Sequence, residues 1–554
     1  MIRAFLVLLT WCLGAALPAG ATPPNIVLIV AEDLSPRIGA FGDPVARTPH
    51  IDALAAEGVR YPNTFTTAGV CAPSRAALIT GMQQMSIGAQ HMRTSTAPGA
   101  RYRTVPPPHV KAFPEHLRAS GYHTSVNQKL DYQFSGVLAG SGPFTIWDDE
   151  GVPTGWRARP ARAPFFAMFN LSETHESGVF EPLGSWPRSA THFVLQLVRA
   201  WEFGLDDGEG STQPSDVLLP PYYPDTPTVR ADLARHYNNI ERMDARVGQI
   251  LAQLEADGLM ETTIVIWTTD HGDGLPRAKR ELYDSGIRVP MIIRWPSANQ
   301  PEEVIAGSTD RRLVSFVDLA PTILSLAGVP VPETLEGRDL MDAAKPARRY
   351  IYAGRDRIDE VLDRQRAVRD DRFKYIRSWH PNVPGGHPLA FRDNIEMVRE
   401  LHSLNQRQEL NPIQGRWFAG PGREQLYDLT EDPHEVRDLV EEGTHTAELE
   451  RLRSVLDDWL GRTKDWSEDS EDSMADRFWP GGNQPVTPAP TVTRAADRIQ
   501  IQSSVPGASI GYRVGEGRWK LYTGPISSPD DEEVEARAVR YGWSASETAS
   551  STPE

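Results

Sequence analysis

Cysteine is almost absent from this chain, which has two cysteines, Cys12 and Cys71, among its 554 residues. Cys12 lies in a short apolar run near the N-terminus, and the small residues Ala19-Gly20-Ala21 follow that run. The pattern predicts a secretory signal peptide over residues 1–21; the alternative is a membrane anchor, for which the run is short. Without residues 1–21 the protein keeps one thiol, at Cys71, which excludes an internal disulfide framework.

Long apolar runs and positive charge are scarce as well. After the N-terminal run, no stretch reaches the about 20 apolar residues that a spanning helix needs, so we expect no membrane span. With the signal peptide, this predicts an exported protein that is periplasmic or secreted. Acidic residues outnumber basic ones by 74 to 57, and the formal net charge is −17. Such a protein is a poor candidate for nucleic-acid binding, and a polyanionic ligand would need a local basic patch.

Apolar, β-branched runs predict the strands of the largest domain. Continuous runs of this kind suit strands that are buried on both faces of a parallel sheet, and helical patterns lie between them. The alternation predicts an α/β fold with a doubly wound, mixed, mostly parallel sheet. The four clearest predicted strands span residues 25–30, 121–127, 164–170 and 262–269, and the clearest helix spans residues 229–254.

Charged and imidazole side chains follow each of these strands. In open α/β sheets, ligands bind beyond the carboxyl ends of the strands, so we expect these side chains to share one site. Adjacent carboxylates bind hard cations, and an imidazole gains and loses protons near neutral pH. Taken singly, each residue could be a cap or a surface group, but their common position predicts an active site. The residues are Glu32, Asp33, Lys129, His175, Asp270 and His271.

Cys71 opens the stretch around which the chain is organised, Cys71-Ala72-Pro73-Ser74-Arg75, and an apolar helix follows that ends at Thr80-Gly81. The ring of Pro73 fixes its φ angle at a value that suits the first turn of a helix, so we expect Cys71 just before a helix N-terminus. The backbone N–H groups and the helix dipole favour an anion there, and Arg75 adds a fork of donors. A small buried residue before an ordinary helix is the alternative.

The pattern Cys-x-Pro-x-Arg from Cys71 to Arg75, with Leu78, Thr80 and Gly81, resembles the signature of the type I sulfatases of the alkaline-phosphatase-like superfamily. In that family a formylglycine-generating enzyme converts the cysteine to formylglycine, whose hydrated aldehyde is the nucleophile. The resemblance implies the same modification at Cys71. It extends over about residues 24–466.

The resemblance also implies the ligands of one Ca²⁺ ion and the groups that act on the sulfate. Glu32 stands where the family usually has aspartate, and the histidine of the family's Gly-Lys-x-x-His pattern is missing after Lys129. In the family, lysines bind the sulfate and a histidine protonates the leaving alcohol. The implied metal ligands are Glu32, Asp33, Cys71, Asp270 and His271, and the implied catalytic residues are Cys71, Arg75, Lys129, His175 and Lys279. His91 and Arg93 could contact the substrate or be solvated loop residues.

The chain divides by composition into several regions. We expect a catalytic domain over residues 24–345 and a smaller α+β C-terminal subdomain over residues 346–466. An acidic, then Pro/Gly-rich stretch predicts a linker over residues 467–490. Alternating strands over residues 491–548 resemble the small β-sandwich modules of secreted glycosidases, and this module could bind glycan or act as a spacer. Within the catalytic domain, residues 179–227 predict an excursion over the mouth of the site.

The sequence therefore predicts an exported sulfatase that hydrolyses sulfate esters, or N-sulfates, of a sulfated saccharide. Two alternatives stay open: a phosphate or phosphonate monoester hydrolase of the same superfamily, and a non-catalytic glycan-binding homologue. The intact Cys-x-Pro-x-Arg pattern favours catalysis, and measured turnover would separate the three.

Overall fold

The structure, a computed structural model, describes residues 23–92, 94, 102–151, 155–181, 186–203, 210–495, 498–527 and 532–551. The predicted signal peptide and Arg93 lie outside these residues. No helix of the described chain combines the length and apolar character that crossing a membrane requires.

A mixed sheet of eight strands forms the centre of the largest domain. The strands are β1 (Asn25–Ala31), β2 (Val59–Phe65), β3 (His123–Val126), β4 (Asp149–Glu150), β5 (Phe165–Leu171), β6 (Thr263–Thr269), β7 (Arg288–Arg294) and β8 (Val314–Ser315). Their order across the sheet is β4-β3-β5-β1-β6-β7-β2-β8. Strand β7 is antiparallel to both of its neighbours, and the other pairs are parallel. This confirms the predicted mixed, mostly parallel sheet.

Strand β1 shows why the sheet is buried on both faces. Ile26, Leu28 and Val30 pack in one apolar core, whereas Val27 and Ile29 pack in the other. The helices of this domain are α1 (Pro49–Glu57), α2 (Cys71–Thr80), α3 (Phe113–Ala119), α4 (Ala190–Phe203), α5 (Pro227–Ala256), α6 (Asp284–Ile287) and α7 (Leu319–Leu326). Helices α2, α3 and α7 contribute to the first core, and α1 and α5 contribute to the second. The domain is therefore doubly wound, as predicted.

A smaller antiparallel sheet follows, with the order β12-β11-β10-β9. Its strands are β9 (Ile351–Arg355), β10 (Gln365–Arg369), β11 (Phe373–Ser378) and β12 (Glu424–Asp428), and the accompanying helices are α8 (Glu396–Gln406), α9 (Pro412–Gly415), α10 (Leu439–Glu442) and α11 (Thr446–Arg462). Leu452, Leu456 and Trp459 of α11 pack in one core with Tyr375 and Leu426 of the sheet. This is the smaller α+β subdomain that the sequence predicts.

The segment predicted as a linker contains a helix, α12 (Glu471–Phe478). Met474 and Phe478 of this helix are buried and pack with Tyr102 and Trp466. The acidic composition concealed the helix because only one narrow face of it is apolar. Residues 471–478 of the predicted linker are therefore packed on the body of the protein.

Two small antiparallel sheets form the C-terminal module. Their strands are β13 (Thr491–Ala495), β14 (Arg498–Gln502), β15 (Ala508–Val514), β16 (Lys520–Leu521), β17 (Ile526–Ser527), β18 (Val534–Arg540) and β19 (Ala549–Ser551). The orders are β13-β14-β17 and β16-β15-β18-β19. Ile499 and Ile501 of one sheet share a core with Val534 and Ala536 of the other, which gives the expected small β-sandwich.

Candidate active site

The side chains predicted from the strand ends lie together beyond the carboxyl ends of β3, β5, β1 and β6, which are neighbours in the sheet. Helix α2 begins beside them. Lys129 and His175 are half-buried, and the other members of the group are buried. We call this group the Cys71 cluster; its members are Glu32, Asp33, Cys71, Arg75, Lys129, His175, Asp270, His271 and Lys279.

Helix α2 fixes the position of Cys71. The helix begins at Cys71 itself, two residues before the start that Pro73 suggests, and all ten of its residues are buried. The hydroxyl of Ser74 donates to the backbone carbonyl of Asp270 at 2.6 Å. The Cys71 side chain is therefore held against the end of β6 by a helix with no exposed face.

Four members of the cluster could bind a metal ion together. Donor atoms of Asp33, Cys71, Asp270 and His271 all lie within 4.8 Å of one another. Nε2 of His271 is 2.9 Å from Oδ1 of Asp33 and 3.3 Å from Sγ of Cys71. Burial alone would lower the pKa of His271, but Asp270 and Asp33 raise it well above its usual value, so this place favours positive charge. The donor set, with two carboxylates, fits a hard divalent cation such as Ca²⁺.

Glu32 lies in the neighbouring group, with Asp33 and His175. Its carboxylate accepts a hydrogen bond from Nζ of Lys129 at 2.8 Å, and Nε2 of His175 is 3.9 Å away. Glu32 thus belongs to the side of the cluster that holds Lys129 and His175. Among the possible metal-binding groups of the described residues, Glu32 occurs with Asp33, as predicted, but not with Cys71.

The loop after β6 brings Lys279 to the cluster. Nζ of Lys279 is 2.5 Å from Oδ2 of Asp33 and 3.1 Å from Oε1 of Glu176. The loop can turn back because residue 272 is glycine: a Cβ there would lie 1.9 Å from the carbonyl oxygen of Ser285. Glycine at position 272 is therefore required by backbone packing, directly after the two site residues Asp270 and His271.

Three buried residues that the sequence reasoning missed complete the cluster. Nη1 of Arg75 donates to Oδ1 of Asn170 at 2.5 Å. Arg280 donates to both carboxylate oxygens of Glu176, at 2.8 and 2.9 Å, and Glu176 also contacts Lys279. Glu176 and Arg280 directly follow predicted site residues in the chain, and that adjacency is the signal that could have found them.

Backbone strain is concentrated around the cluster. Asp33, Lys129, Arg277 and Arg280 have φ values of 51°, 63°, 58° and 78°, in the left-handed region. Each such residue costs about 1–3 kcal/mol unless the surroundings compensate, and strain of this kind concentrates at functional sites. The fold therefore holds several charged side chains of this site in orientations that a relaxed backbone would not give.

The charges of the cluster are paired and act on Cys71. The pairs are Glu32–Lys129 at 2.8 Å, Asp33–Lys279 at 2.5 Å, Asp270–Arg75 at 2.9 Å and Glu176–Arg280 at 2.8 Å. Burial alone would raise the pKa of the Cys71 thiol, but Lys279 and Lys129 outweigh burial and bring that pKa to about 6. Because the pairs already balance, a divalent cation would leave the site positive, which suits an anionic substrate.

The structure does not bring His91 into the Cys71 cluster. Its side chain is buried, and neither ring nitrogen has a hydrogen-bond partner among the described residues. Burial lowers the pKa of His91, and the charged groups that act on it most strongly, Glu471, Asp356, Arg357 and Arg366, lie outside the cluster. A substrate contact by His91 stays a prediction, and Arg93 lies outside the described residues.

An open cavity of about 660 Å³ leads to the cluster. Glu32, Lys129 and His175 line it together with apolar side chains, among which Leu195 and Val198 belong to α4. Helix α4 lies in the segment that the sequence predicts to pass over the mouth of the site. The cavity is within the usual size range of small-molecule sites and combines charged and apolar walls.

Comparison with known proteins agrees with this geometry. Residues 24–137 and 154–329 match the family model described as "Sulfatase", and residues 277–416 match the model described as "N-sulphoglucosamine sulphohydrolase, C-terminal". An ulvan-active sulfatase of Formosa agariphila is 39% identical, in an alignment that covers 94% of this chain and 90% of that protein. The N-sulphoglucosamine sulphohydrolase of Homo sapiens is 26% identical, over 80% of this chain and 91% of that protein.

A solved structure described as a 2-O GAG sulfatase has the same fold. Its TM-score is 0.56 at 20% sequence identity, and the alignment covers 82% of this chain and 96% of that chain. At this identity the likeness supports the fold alone. Together with the family model, which matches more than half of the chain, and the 39% identical relative, it leads to one conclusion. The chain belongs to the sulfatase family, with its alkaline-phosphatase-like fold, and is a sulfuric ester hydrolase.

Proposed function

We propose that the protein is an exported sulfatase that hydrolyses sulfate esters, or N-sulfates, of a sulfated polysaccharide, through a formylglycine derived from Cys71 and one Ca²⁺ ion. The observation that carries the proposal is the place of Cys71, at the start of a buried helix, 3.3 Å from Nε2 of His271 and under the influence of two lysines. The relatives named ulvan-active sulfatase and N-sulphoglucosamine sulphohydrolase support a sulfated saccharide as substrate.

The metal ion and the modified residue would supply the chemistry that the unmodified side chains lack. Asp33, Asp270 and His271 would hold the ion, with Glu32 beside them, and the ion would supply positive charge next to residue 71. Formylglycine at position 71 would supply, as its hydrated aldehyde, the oxygen nucleophile.

Arg75 would orient Asp270, and Lys129 and Lys279 would neutralise negative charge on the sulfate. Arg75 holds Asp270 through Nε at 2.9 Å and is itself held by Asn170. Lys129 and Lys279 both act on the pKa of Cys71, so both lie near the place where the sulfate would react. There they would stabilise the negative charge that grows on the sulfate oxygens in the transition state.

His175 is placed to handle the proton of the leaving group. Its Nδ1 lies 2.8 Å from the hydroxyl of Ser177, which orients the ring. Its Nε2 is 3.9 Å from Glu32 and 4.0 Å from Asp33, and the side chain lines the open cavity. A proton on Nε2 could therefore pass to the departing sugar oxygen.

Release of sulfate and phosphate from a panel of substrates tests the proposal. The protein would be produced with a formylglycine-generating enzyme and given oligosaccharides of ulvan, heparan, chondroitin, carrageenan and fucoidan. An aryl sulfate, an aryl phosphate and a phosphonate monoester complete the panel, and the Cys71→Ala variant is the control. Sulfate release that the control lacks is expected, with one saccharide preferred.

Two outcomes would contradict the proposal. A preference for phosphate or phosphonate esters would assign the chain to the phosphoryl-ester hydrolases of the superfamily. No release from any substrate, with conversion of Cys71 shown by mass spectrometry, would favour a non-catalytic glycan-binding role.

Export and maturation are part of the same proposal. The signal-peptide pattern over residues 1–21 supports a periplasmic or secreted location. Formylglycine requires a modifying enzyme in the host, which would be a transient partner of the nascent chain. Mass spectrometry of the exported native protein would show a first residue near position 22 and an aldehyde at position 71; a retained N-terminus or an intact thiol would contradict the proposal.

A further inference from the structure

A second cavity adjoins the one that leads to the Cys71 cluster. It has a volume of about 610 Å³ and shares Asn127, Gln128 and Ser172 with the first cavity as lining residues. Asn170, which binds Arg75 of the cluster, also lines it. The two cavities thus form one groove across the carboxyl ends of β3 and β5, and each part has the size of a small-molecule site.

Helix α5 supplies cationic side chains to the far part of this groove. Arg242 and Arg246 line it one helical turn apart, together with Gln249, and the two arginines outnumber the single carboxylate of this part, Glu173. Residues at i and i+4 lie on one face of a helix, so both guanidinium groups are directed to the same wall, at a small cost in repulsion. We call Arg242, Arg246 and Gln249 the cationic end of the groove.

Arg246 is the informative member of the cationic end. It is exposed, and its hydrogen bond is to the amide oxygen of Gln249, at 2.7 Å. No carboxylate of the described residues forms an ion pair with it, although acidic residues outnumber basic ones in the chain. Arg246 therefore offers a charged donor fork to a ligand in the groove.

We propose that the cationic end binds a second acidic group, carried by the sugar next to the one whose sulfate reacts. The inference rests on the proposed function, because it takes the first cavity as the place of the reacting sugar. It makes the preferred substrate an acidic saccharide of at least two residues, with a carboxylate or a sulfate on the neighbouring sugar. The polar side chains of Asn127 and Gln128 lie where the linkage between the two sugars would pass.

Three disaccharides that carry the same reacting sulfate test the proposal: one with a uronate neighbour, one with a sulfated neighbour and one with a neutral neighbour. The converted enzyme should show a higher kcat/KM for at least one acidic disaccharide than for the neutral one, and the better of the two identifies the acidic group. In Arg246→Gln the ratio of acidic to neutral kcat/KM should fall about three- to ten-fold, through KM. Arg246→Lys should retain most of the ratio.

The control and a binding measurement keep the test decisive. Arg407→Gln removes one exposed arginine that lines neither cavity and should leave the ratio unchanged. If no variant of the enzyme releases sulfate, the proposed function fails. Calorimetry with Cys71→Ala and disaccharides that lack only the reacting sulfate still measures binding at the cationic end. Two results would overturn the inference. One is equal affinity for the three disaccharides, whether the neighbouring sugar is a uronate, sulfated or neutral. The other is an equal loss of affinity for all three in Arg246→Gln.

Discussion

Cys71 and the charged groups around it act as one unit. A buried ion pair contributes little net stability, but the loss of one partner leaves the other charge buried and uncompensated. Lys129 and Lys279 each have a carboxylate partner, and each also lowers the pKa of Cys71. Single substitutions in the cluster therefore change both the ionisation of residue 71 and the position of its neighbours.

Replacing Cys71 should abolish turnover without unfolding the protein. We expect Cys71→Ser and Cys71→Ala to release sulfate at least about a thousand-fold more slowly than the converted enzyme, because a formylglycine-generating enzyme that acts on cysteine converts neither side chain. The serine is nearly isosteric, so the Tm should stay within a few degrees of the parent value. Sulfate release and a thermal melt measure the two effects; substantial turnover by Cys71→Ser would show that an ordinary hydroxyl is sufficient.

The ionisation of the unconverted thiol can be measured directly. In protein produced without the modifying enzyme and freed of metal by a chelator, thiolate absorbance should appear as pH rises through about 6. Lys129→Met should raise that midpoint by about one unit or more, because an opposite charge within a few ångströms stabilises the thiolate. Lys520→Met, on the exposed β16, should leave the midpoint unchanged; a midpoint near 8–9 in the parent protein would refute the electrostatic account.

The elements outside the central sheet are joined by buried polar contacts. Arg366 of β10 is fully buried and pairs with Asp356 at 3.0 Å and with Asp465 at 2.8 Å. It thus connects the small sheet to the chain that follows α11. Burial alone would raise the pKa of Asp465, but Arg366 outweighs burial and lowers that pKa to about 2.

Arg366→Met should destabilise the small subdomain by about 3–5 kcal/mol at pH 7, because Asp356 stays buried without a cationic partner and Asp465 keeps only Arg364, at 3.0 Å. The pKa of Asp465 is about 2 in the folded protein and near 4 in the unfolded chain. Its ion pair therefore stabilises the fold fully above about pH 4, and this stabilisation is lost as the pH falls toward 2. The difference between variant and parent should therefore shrink as pH falls from about 4 toward 2. Denaturant unfolding at several pH values measures the free energy of unfolding of parent and variant. The same difference at all pH values would contradict the prediction. Arg407→Met, a change of an exposed arginine, is the control.

The C-terminal module is joined to the body by a similar contact. The hydroxyl of Tyr541 donates to Glu115 of α3 at 2.9 Å, and Ser509 donates to the other oxygen at 2.6 Å. The Tyr541 ring stacks on Phe134 at 4.9 Å. These contacts favour a module that supports the catalytic domain, and α3 leads directly into β3, after which Lys129 follows.

Tyr541→Phe should lower the stability of the protein by about 1–3 kcal/mol, because Glu115 loses a donor while it stays buried. A thermal melt of the variant should show a lower Tm than that of Tyr512→Phe, a change in the same module outside this network. Sulfate release at low temperature should stay close to that of the parent enzyme. Equal melting of the two variants would mean that the Glu115 contact does not contribute to stability.

At the scale of the whole molecule, the sequence predicts those features that depend on a local pattern of residues, such as strands and the side chains that follow them. The strands before Glu32, Lys129, His175 and Asp270 are apolar runs, and the sheet brings their ends together as expected. Asn170, Glu176 and Arg280 escaped prediction because their partners are set by packing between segments far apart in the chain. Helix α12 escaped because an acidic composition conceals its narrow apolar face.

The whole molecule is acidic, but in the groove at its site three cationic side chains stand against two carboxylates, Glu32 and Glu173. A formal net charge of −17 would repel a polyanionic substrate at long range. Lys129, Arg242 and Arg246 oppose this charge within the groove. Binding of the substrate should therefore depend on the local site, which the proposed divalent ion would leave positive.

Recovery of sulfate release as Ca²⁺ is added back to the converted, chelator-treated enzyme tests the central claim most directly. The initial rate on the preferred saccharide should be near zero without the ion and should rise along a single-site saturation curve, while Cys71→Ala stays inactive throughout. A full rate in excess chelator, or sulfate release by Cys71→Ala, would contradict the assignment of residue 71 and the carboxylate group around it as the hydrolytic centre.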